Sequence, residues 1–469
     1  MENCNPLGIA IVSTYLRDRG VDTNWLPMIP GKVDTLEKAI ENTDSVWISS
    51  RFFDTSLAQK AIRLSRRHQK PTIVGGYGPT FQPAAFKDAT TRVVGEVEPI
   101  MDQLIDDLLS GRLESEYDSR NRPPFDLSEY TWPDRSIFPP LPRLLRPITR
   151  HSQEWQRGCL SSCAFCSPTK MQRREIVDGK KTVRHRSPED IIAEIKHMGL
   201  GRNDNLVLVD LNTSAIPPEV LRETFTYLNK QHIRWYTEGT VAPLLEDFEK
   251  NGPNGSLISL MSALDGKGGC NSFLYGADDL VVKKVKGSRD KEIILVQKAA
   301  EIFREFGIPL NLSVIVGLDH HHYPNSFFEI AQALQEVRTP YTFLHIATPY
   351  QSTSWGDKVY RENRVFDNSF LHHNHRQTVH TPENMTPEQL QQGYYWLLHQ
   401  LNNPKQIALT AKHNFSPKAA ALNPGLAMIL SGLPWGIETC LTVAELSARG
   451  YINPKFQKEL DEGFKIWKR

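Results

Sequence analysis

The chain has 469 residues, 39% hydrophobic and 23% charged, with 55 basic against 54 acidic side chains for a net charge of +1. Such a length exceeds one ordinary core and implies two or three domains of globular composition. The charge balance excludes a general electrostatic footprint for nucleic acid or anionic membrane, and no apolar run approaches the ~20 residues of a membrane helix.

In chain order, residues 6–20 carry apolar side chains at helical spacing and stop at Gly20, a C-cap glycine. A short strand is expected at 44–50, an amphipathic helix at 56–70, a strand at 71–76 running into a glycine turn, and a further strand at 91–96 before a helix. This alternation implies a Rossmann-like open parallel sheet over residues 1–112 that lacks its usual first strand. Residues 113–147 are rich in proline and are expected to be a linker that wraps a surface. From 148 the alternation resumes, with strands expected at 148–156, 205–211, 233–239, 256–263, 310–318 and 341–349 and helices between them. Six strand-then-helix units over 148–384 predict a partial (β/α)6 TIM-like barrel, whose chemistry would sit at the C-terminal strand ends. Residues 385–469 are expected to form a helical C-terminal region. No small-residue cleavage site follows the N-terminal apolar stretch, so no signal peptide is expected.

Six cysteines are too few for a disulfide scaffold in a chain of this length, and three of them crowd into GCLSSCAFC. The reading is a reducing, cytoplasmic protein whose clustered thiols bind metal. Cys159, Cys163 and Cys166 follow the first barrel strand with C-x3-C-x2-C spacing. Composition alone gives such a cluster a chance of roughly one in a thousand. A disulfide with a spare thiol conflicts with the compartment. Structural zinc wants a second ligand pair, and only His151 stands near as a fourth donor. Three unrelated buried cysteines are the blandest reading. An iron–sulfur cluster fits best, because three thiolates on a four-iron cubane leave one iron open for a ligand.

The cysteine loop and its context resemble the radical SAM superfamily, and Phe165 matches the aromatic residue that commonly precedes the third cysteine. The resemblance implies a 4Fe-4S cluster on Cys159, Cys163 and Cys166 that binds S-adenosylmethionine and cleaves it to a 5'-deoxyadenosyl radical. It implies an electron donor such as flavodoxin or ferredoxin. Asp210 and Asn212, at the second strand's end, match the region that holds the cofactor's amino group; as residue types they also suit a turn or helix cap. Glu238 after the third strand and Ser262 after the expected fourth lie at equivalent heights. At Ser262 the chain departs from the glutamate run of related enzymes. VIVGLDHHH (314–322) resembles the fifth-strand segment of the subgroup with a cobalamin-binding domain. Its three histidines are read as loop residues pointing in different directions, since the iron already has its ligands. Tyr350, at the last strand's end, is a weak candidate for a substrate-facing catalytic residue, though packing is the commoner role of such an aromatic.

The front segments, with TIVGGYGPTFQP, resemble that subgroup's cobalamin-binding domain. Gly75, Gly76 and Gly78 would let the backbone approach a bulky corrin, with Ser49 and Ser50 at the same edge. Two departures stand out: the missing first strand, and the absence of a D-x-H-x-x-G histidine for cobalt. With cobalamin, the resemblance implies methylation of an unactivated carbon; a non-methylating rearrangement or cyclisation, and a non-catalytic zinc module, are the alternatives. The substrate is left open among a small molecule, a lipid, a tetrapyrrole and a peptide, with no nucleic acid expected.

Overall fold

The structure is a computed structural model that describes residues 6–28, 33–139, 150–171, 175–177, 180–202, 204–262, 264, 268–281, 289–414 and 433–468. The chain divides into two compact units, Met1–Ser187 with Thr348–Asn374, and Pro188–Ala347 with His375–Arg469.

In the first unit, the helix Leu7–Asp18 buries Ala10, Ile11, Val12 and Leu16 along one face and is indeed the first element among the described residues. Four parallel strands follow: β1 (Val46–Ser49), β2 (Thr72–Gly75), β3 (Thr91–Val94) and β4 (Glu116–Asp118), side by side in that order. Successive side chains on a strand point to opposite faces, and β2 shows the consequence. Ile73 packs with Val12, Leu16, Met101, Leu104 and Ile105 on one face. Its neighbour Val74 packs with Ile48, Ala58, Ala61, Ile62 and Phe86 on the other.

β4 corrects the expected linker. Its register with β3 sets Arg92 beside Glu116 and Val93 beside Tyr117, and the Arg92–Glu116 ion pair spans 3.0 Å. Tyr117 is the only large apolar residue of that strand and is buried, too short a pattern to be seen among prolines. Beyond it, Asp126 and Asp134 cap short 3-10 turns by accepting backbone N–H bonds. Residues 140–147 of the expected linker lie outside the described residues. The next strand, β5 (Arg150–Gln153), also belongs to the first unit. Gln156–Arg157 follows and pairs antiparallel with Arg184–His185.

The second unit is built on parallel strands β6 (Asn205–Leu208), β7 (Arg234–Gly239), β8 (Gly269–Gly276), β9 (Leu310–Val316) and β10 (Thr342–Ile346), each beside the next. Helices such as Pro188–His197, Pro218–Lys230, Arg289–Glu305 and Asn325–Val337 alternate with them. The expected strand at 256–263 is corrected: Leu257–Met261 is a helix, and residue 263 lies outside the described residues. Ser256 caps that helix, its Oγ accepting the Ser259 N–H at 3.2 Å, and Leu257, Ile258 and Met261 turn to the core. The fourth barrel strand is instead β8, whose burial alternates along most of its length. The helices Pro387–Asn402, Pro404–Asn414, Leu433–Ala448 and Pro454–Trp467 complete the helical C-terminal region. Trp396, Phe328 and Phe464 pack there edge to edge, and Trp396 Nε1 donates to Asp461 at 2.9 Å. The fold class expected from the sequence holds: an open parallel sheet, a partial α/β barrel and a helical tail. No helix among the described residues is long and apolar enough to cross a membrane.

Candidate functional sites

The cysteine loop starts directly after Arg157. Cys159, Cys163 and Cys166 are partly exposed and outside any disulfide. Within the loop the Cys166 N–H donates to the Cys163 carbonyl at 3.2 Å, and the Ala164 carbonyl accepts the Trp355 N–H at 3.0 Å. These bonds turn the loop between its second and third cysteines and anchor it on the helix Ser354–Arg361. Phe165 is half-buried. Three accessible thiols on one short turn form a soft donor set that fits a thiolate-held iron–sulfur cluster.

Behind the loop lies a buried ion network that sequence reasoning did not identify. Arg157 donates to Glu98 Oε1 at 2.6 Å and to Glu154 Oε2 at 2.9 Å, and Arg184 binds Glu96. Burial alone would lower the guanidinium of Arg157, but these carboxylates outweigh it and hold its pKa well above the ordinary value. For Glu98 burial pushes up while Arg157 pulls down harder, and the carboxyl sits below its usual range. Glu154 goes the other way, raised by burial and by the neighbouring Glu98 and Glu96. Glu154 is a local partner, but Glu98 lies 59 positions from Arg157 and Glu96 lies 88 from Arg184, so no local motif announces those two pairs.

At the front sheet's C-terminal edge, Ser49 is exposed and Ser50 buried. Gly76 has φ +97, and a Cβ there would lie 2.9 Å from the Ser50 carbonyl. A Cβ on Gly78 would meet Ser50 Oγ and Phe86 at 2.8 Å, whereas one on Gly75 would make only ordinary contact with Val93. Close approach of the chain to itself therefore explains Gly76 and Gly78. Gln82, 1% exposed, accepts the Thr55 hydroxyl at Oε1 and leaves its Nε2 donor without a partner among the described residues.

Tyr350 does not face an open site. It is 3% exposed, stacks on Phe52 at 3.9 Å and donates its hydroxyl to the His373 carbonyl at 3.1 Å. Burial pushes this phenol above its ordinary range. The structure gives it the packing role.

The second unit gathers acidic groups at its C-terminal strand ends. Asp210, just beyond β6, is fully buried and accepts the Thr213 hydroxyl at 2.9 Å. Glu238, near the end of β7, keeps partial exposure, yet desolvation and then the nearby Asp210 push its carboxyl up to about 7. A pair of carboxyls held this way is a site that gains from a cation between them. Asn212 Oδ1 accepts the Thr240 N–H at 3.0 Å and the Ser214 hydroxyl at 2.8 Å, joining the ends of β6 and β7. Ser262 is corrected: it precedes β8, at the opposite end from the C-terminal strand ends, and its hydroxyl donates to the Phe306 carbonyl at 2.8 Å.

Beyond β8 and β9 the structure brings together groups that the sequence reading left apart. His320 Nε2 lies 2.7 Å from Asp279 Oδ2, and His321 Nε2 lies 3.2 Å from Asp279 Oδ1. His322 is exposed, as loop alternation implies. Asp278 is pushed up to about 6, by burial first and then by Glu292 and Asp279, and Tyr275 donates its hydroxyl to Glu292 at 2.5 Å. The missed signal was GADDL after GCNSFLYG, hidden once the preceding apolar run had been taken as the strand.

Residues 154–334 match the family model described as the radical SAM superfamily. The chain is 24% identical over 335 residues to bacteriochlorophyllide d C-8(2)-methyltransferase of Chlorobaculum tepidum, covering 68% of each chain. It is 23% identical over 371 residues to bacteriochlorophyllide d C-12(1)-methyltransferase of the same organism, covering 77% of this chain and 75% of that one. Among solved structures, the radical S-adenosylmethionine methyltransferase TsrM of Kitasatospora setae, with cobalamin and a 4Fe-4S cluster bound, superposes with a TM-score of 0.58 at 15% identity. That match covers 94% of this chain and 96% of TsrM.

Proposed function

We propose that this chain, which is a radical SAM enzyme, holds a 4Fe-4S cluster on Cys159, Cys163 and Cys166, cleaves S-adenosylmethionine reductively, and methylates an unactivated carbon with the help of cobalamin. The observation that carries the reading is the cysteine loop itself, three accessible thiols outside any disulfide on one anchored turn, within a matched radical SAM region. When bound, the cluster supplies the electron that splits the sulfonium, and cobalamin supplies the methyl group. The chain's own residues place and shield these groups. Trp355 and Cys163 hold the loop's backbone, and the Arg157 network buttresses its base.

Asp210 and Glu238 are proposed to hold the adenosylmethionine amino group. A cation there would relieve the repulsion that raises Glu238, and its ionised form would then be favoured. In the front domain, extended to include β4, Ser49, Ser50 and the turn Gly75–Gly78 form the edge proposed to meet cobalamin, with Gln82 offering a buried donor. The names of the curated relatives support a tetrapyrrole as the methyl acceptor. An electron donor of flavodoxin or ferredoxin type completes the proposal.

The test uses protein purified and reconstituted without oxygen. A brown chromophore bleached by dithionite, with 5'-deoxyadenosine and S-adenosylhomocysteine formed when cobalamin and tetrapyrrole are present, is the expected result. Colourless protein carrying one zinc would overturn it.

A further inference from the structure

At the C-terminal ends of β8 and β9, ligand atoms of Asp279, His320 and His321 lie within 4.8 Å of one another. Two imidazoles and a carboxylate suggest a free cation at first sight, but the protons argue against it. His321 is 1% exposed, and the Gly317 N–H donates to its Nδ1 at 3.2 Å. Because Nδ1 accepts that N–H, the ring's proton sits on Nε2, directed at Asp279 Oδ1. A metal at that nitrogen would have to displace a proton that the backbone contact keeps in place.

His320 Nε2 approaches the other carboxylate oxygen to 2.7 Å, a charge contact whose geometry falls short of a hydrogen bond. Two lone pairs would repel at that distance, so Nε2 carries a proton here too. Each carboxylate oxygen thus already faces an imidazole Nε2, with a hydrogen bond from His321 and a close contact from His320. Among the described residues, the donor of this cluster that remains is Nδ1 of His320, on a side chain that is 36% exposed.

One nitrogen is too few for a free aqua cation, which needs several protein donors. It suits a metal whose equatorial positions a macrocycle already fills, as the proximal histidine of haem proteins does. A carboxylate behind the imidazole fixes the ring and raises its basicity. We propose that His320 Nδ1 is an axial ligand to the central magnesium of a chlorin-type substrate, with Asp279 as its positioning residue. The inference rests on the tetrapyrrole methyltransferase reading above and narrows it to a tetrapyrrole that still holds its metal. A corrin's cobalt offers the same open position; the location at barrel strand ends, where substrate chemistry sits in such barrels, favours the substrate.

The test titrates anaerobic holoenzyme with magnesium chlorophyllide and, separately, with metal-free pheophorbide, following absorption and resonance Raman coordination markers. Wild type and His322→Ala are expected to bind the magnesium form about tenfold more tightly than the metal-free one. His320→Ala should erase that preference, and added imidazole should restore the coordination marker. Asp279→Asn should weaken the preference partly. Iron content and circular dichroism report whether each variant is folded.

Equal binding of the two chlorins by wild type, or a preference that survives His320→Ala, overturns the proposal. So does loss of nitrogen hyperfine splitting on cob(II)alamin in His320→Ala, which would assign the nitrogen to the corrin. If neither chlorin binds while 5'-deoxyadenosine still forms, the substrate class is wrong and the radical chemistry stands. Failure of wild type to load a cluster would instead count against the proposed function.

Discussion

Arg157→Met probes the support of the cysteine loop. Arg157 is 5% exposed, two residues before Cys159, and its guanidinium bonds Glu98 at 2.6 Å and Glu154 at 2.9 Å. Methionine keeps much of the apolar stem and removes the charge, leaving both carboxylates buried without their main partner. Removing one member of a buried pair costs about 3–5 kcal/mol. At roughly 2–4 °C per kcal/mol, the melting temperature should fall by on the order of 10 °C. The pH dependence carries a sign. In the wild type Glu98 is held below the ordinary glutamate range, burial being outweighed by Arg157. Its stabilisation is therefore present above that range and is lost as pH falls through the lowered folded value. In the variant burial acts unopposed by Arg157, the folded value rises above the unfolded one, and the penalty grows as pH climbs. The gap between wild type and variant should narrow from pH 7 to pH 5. Thermal melts of anaerobic holoprotein at both values, with iron content measured alongside, provide the assay. A loss below about 2 °C, or a gap indifferent to pH, would refute the reasoning.

Four further outcomes are expected. The fold favours protonated Glu238, whose carboxyl stands near 7, so the unliganded protein should lose stability as pH rises from about 4.5 towards 7. Adenosylmethionine affinity should rise with pH through about 7 in wild type and stay flat in Glu238→Gln, as equilibrium dialysis can measure. Tyr350→Phe keeps the stack on Phe52 and loses one hydroxyl bond, so it should cost about 1 kcal/mol and leave 5'-deoxyadenosine formed per folded chain unchanged. A large drop in turnover at intact stability would return Tyr350 to the reacting centre. Gly76→Ala combines a positive φ with a 2.9 Å clash on the Ser50 carbonyl and should destabilise by about 1–3 kcal/mol in denaturant melts.

The cysteine loop was legible because its three thiols fall within eight residues. The helix at Leu7–Asp18 was legible because an apolar stretch ending at Gly20 supplies its buried Ala10, Ile11, Val12 and Leu16. The fourth barrel strand was not. SLISLMSA is more apolar than GCNSFLYG, but the Ser256 hydroxyl caps a helix start there and the run folds as a helix. β4 was hidden because three residues with one buried tyrosine carry no period. The Asp279 pairing with His320 and His321 spans about forty positions, and each residue on its own suits an ordinary loop. Tyr350 shows the converse: an aromatic at a strand end invites a catalytic role, and only the Phe52 stack reveals what it does.

The most direct measurement is iron and acid-labile sulfide per chain after oxygen-free reconstitution, in wild type and in Cys163→Ala. The account predicts about four of each in wild type, a spectrum perturbed by added S-adenosylmethionine, and loss of both metal and 5'-deoxyadenosine in the variant. Wild-type protein that takes up neither iron nor sulfide, or a variant that retains turnover, would contradict it.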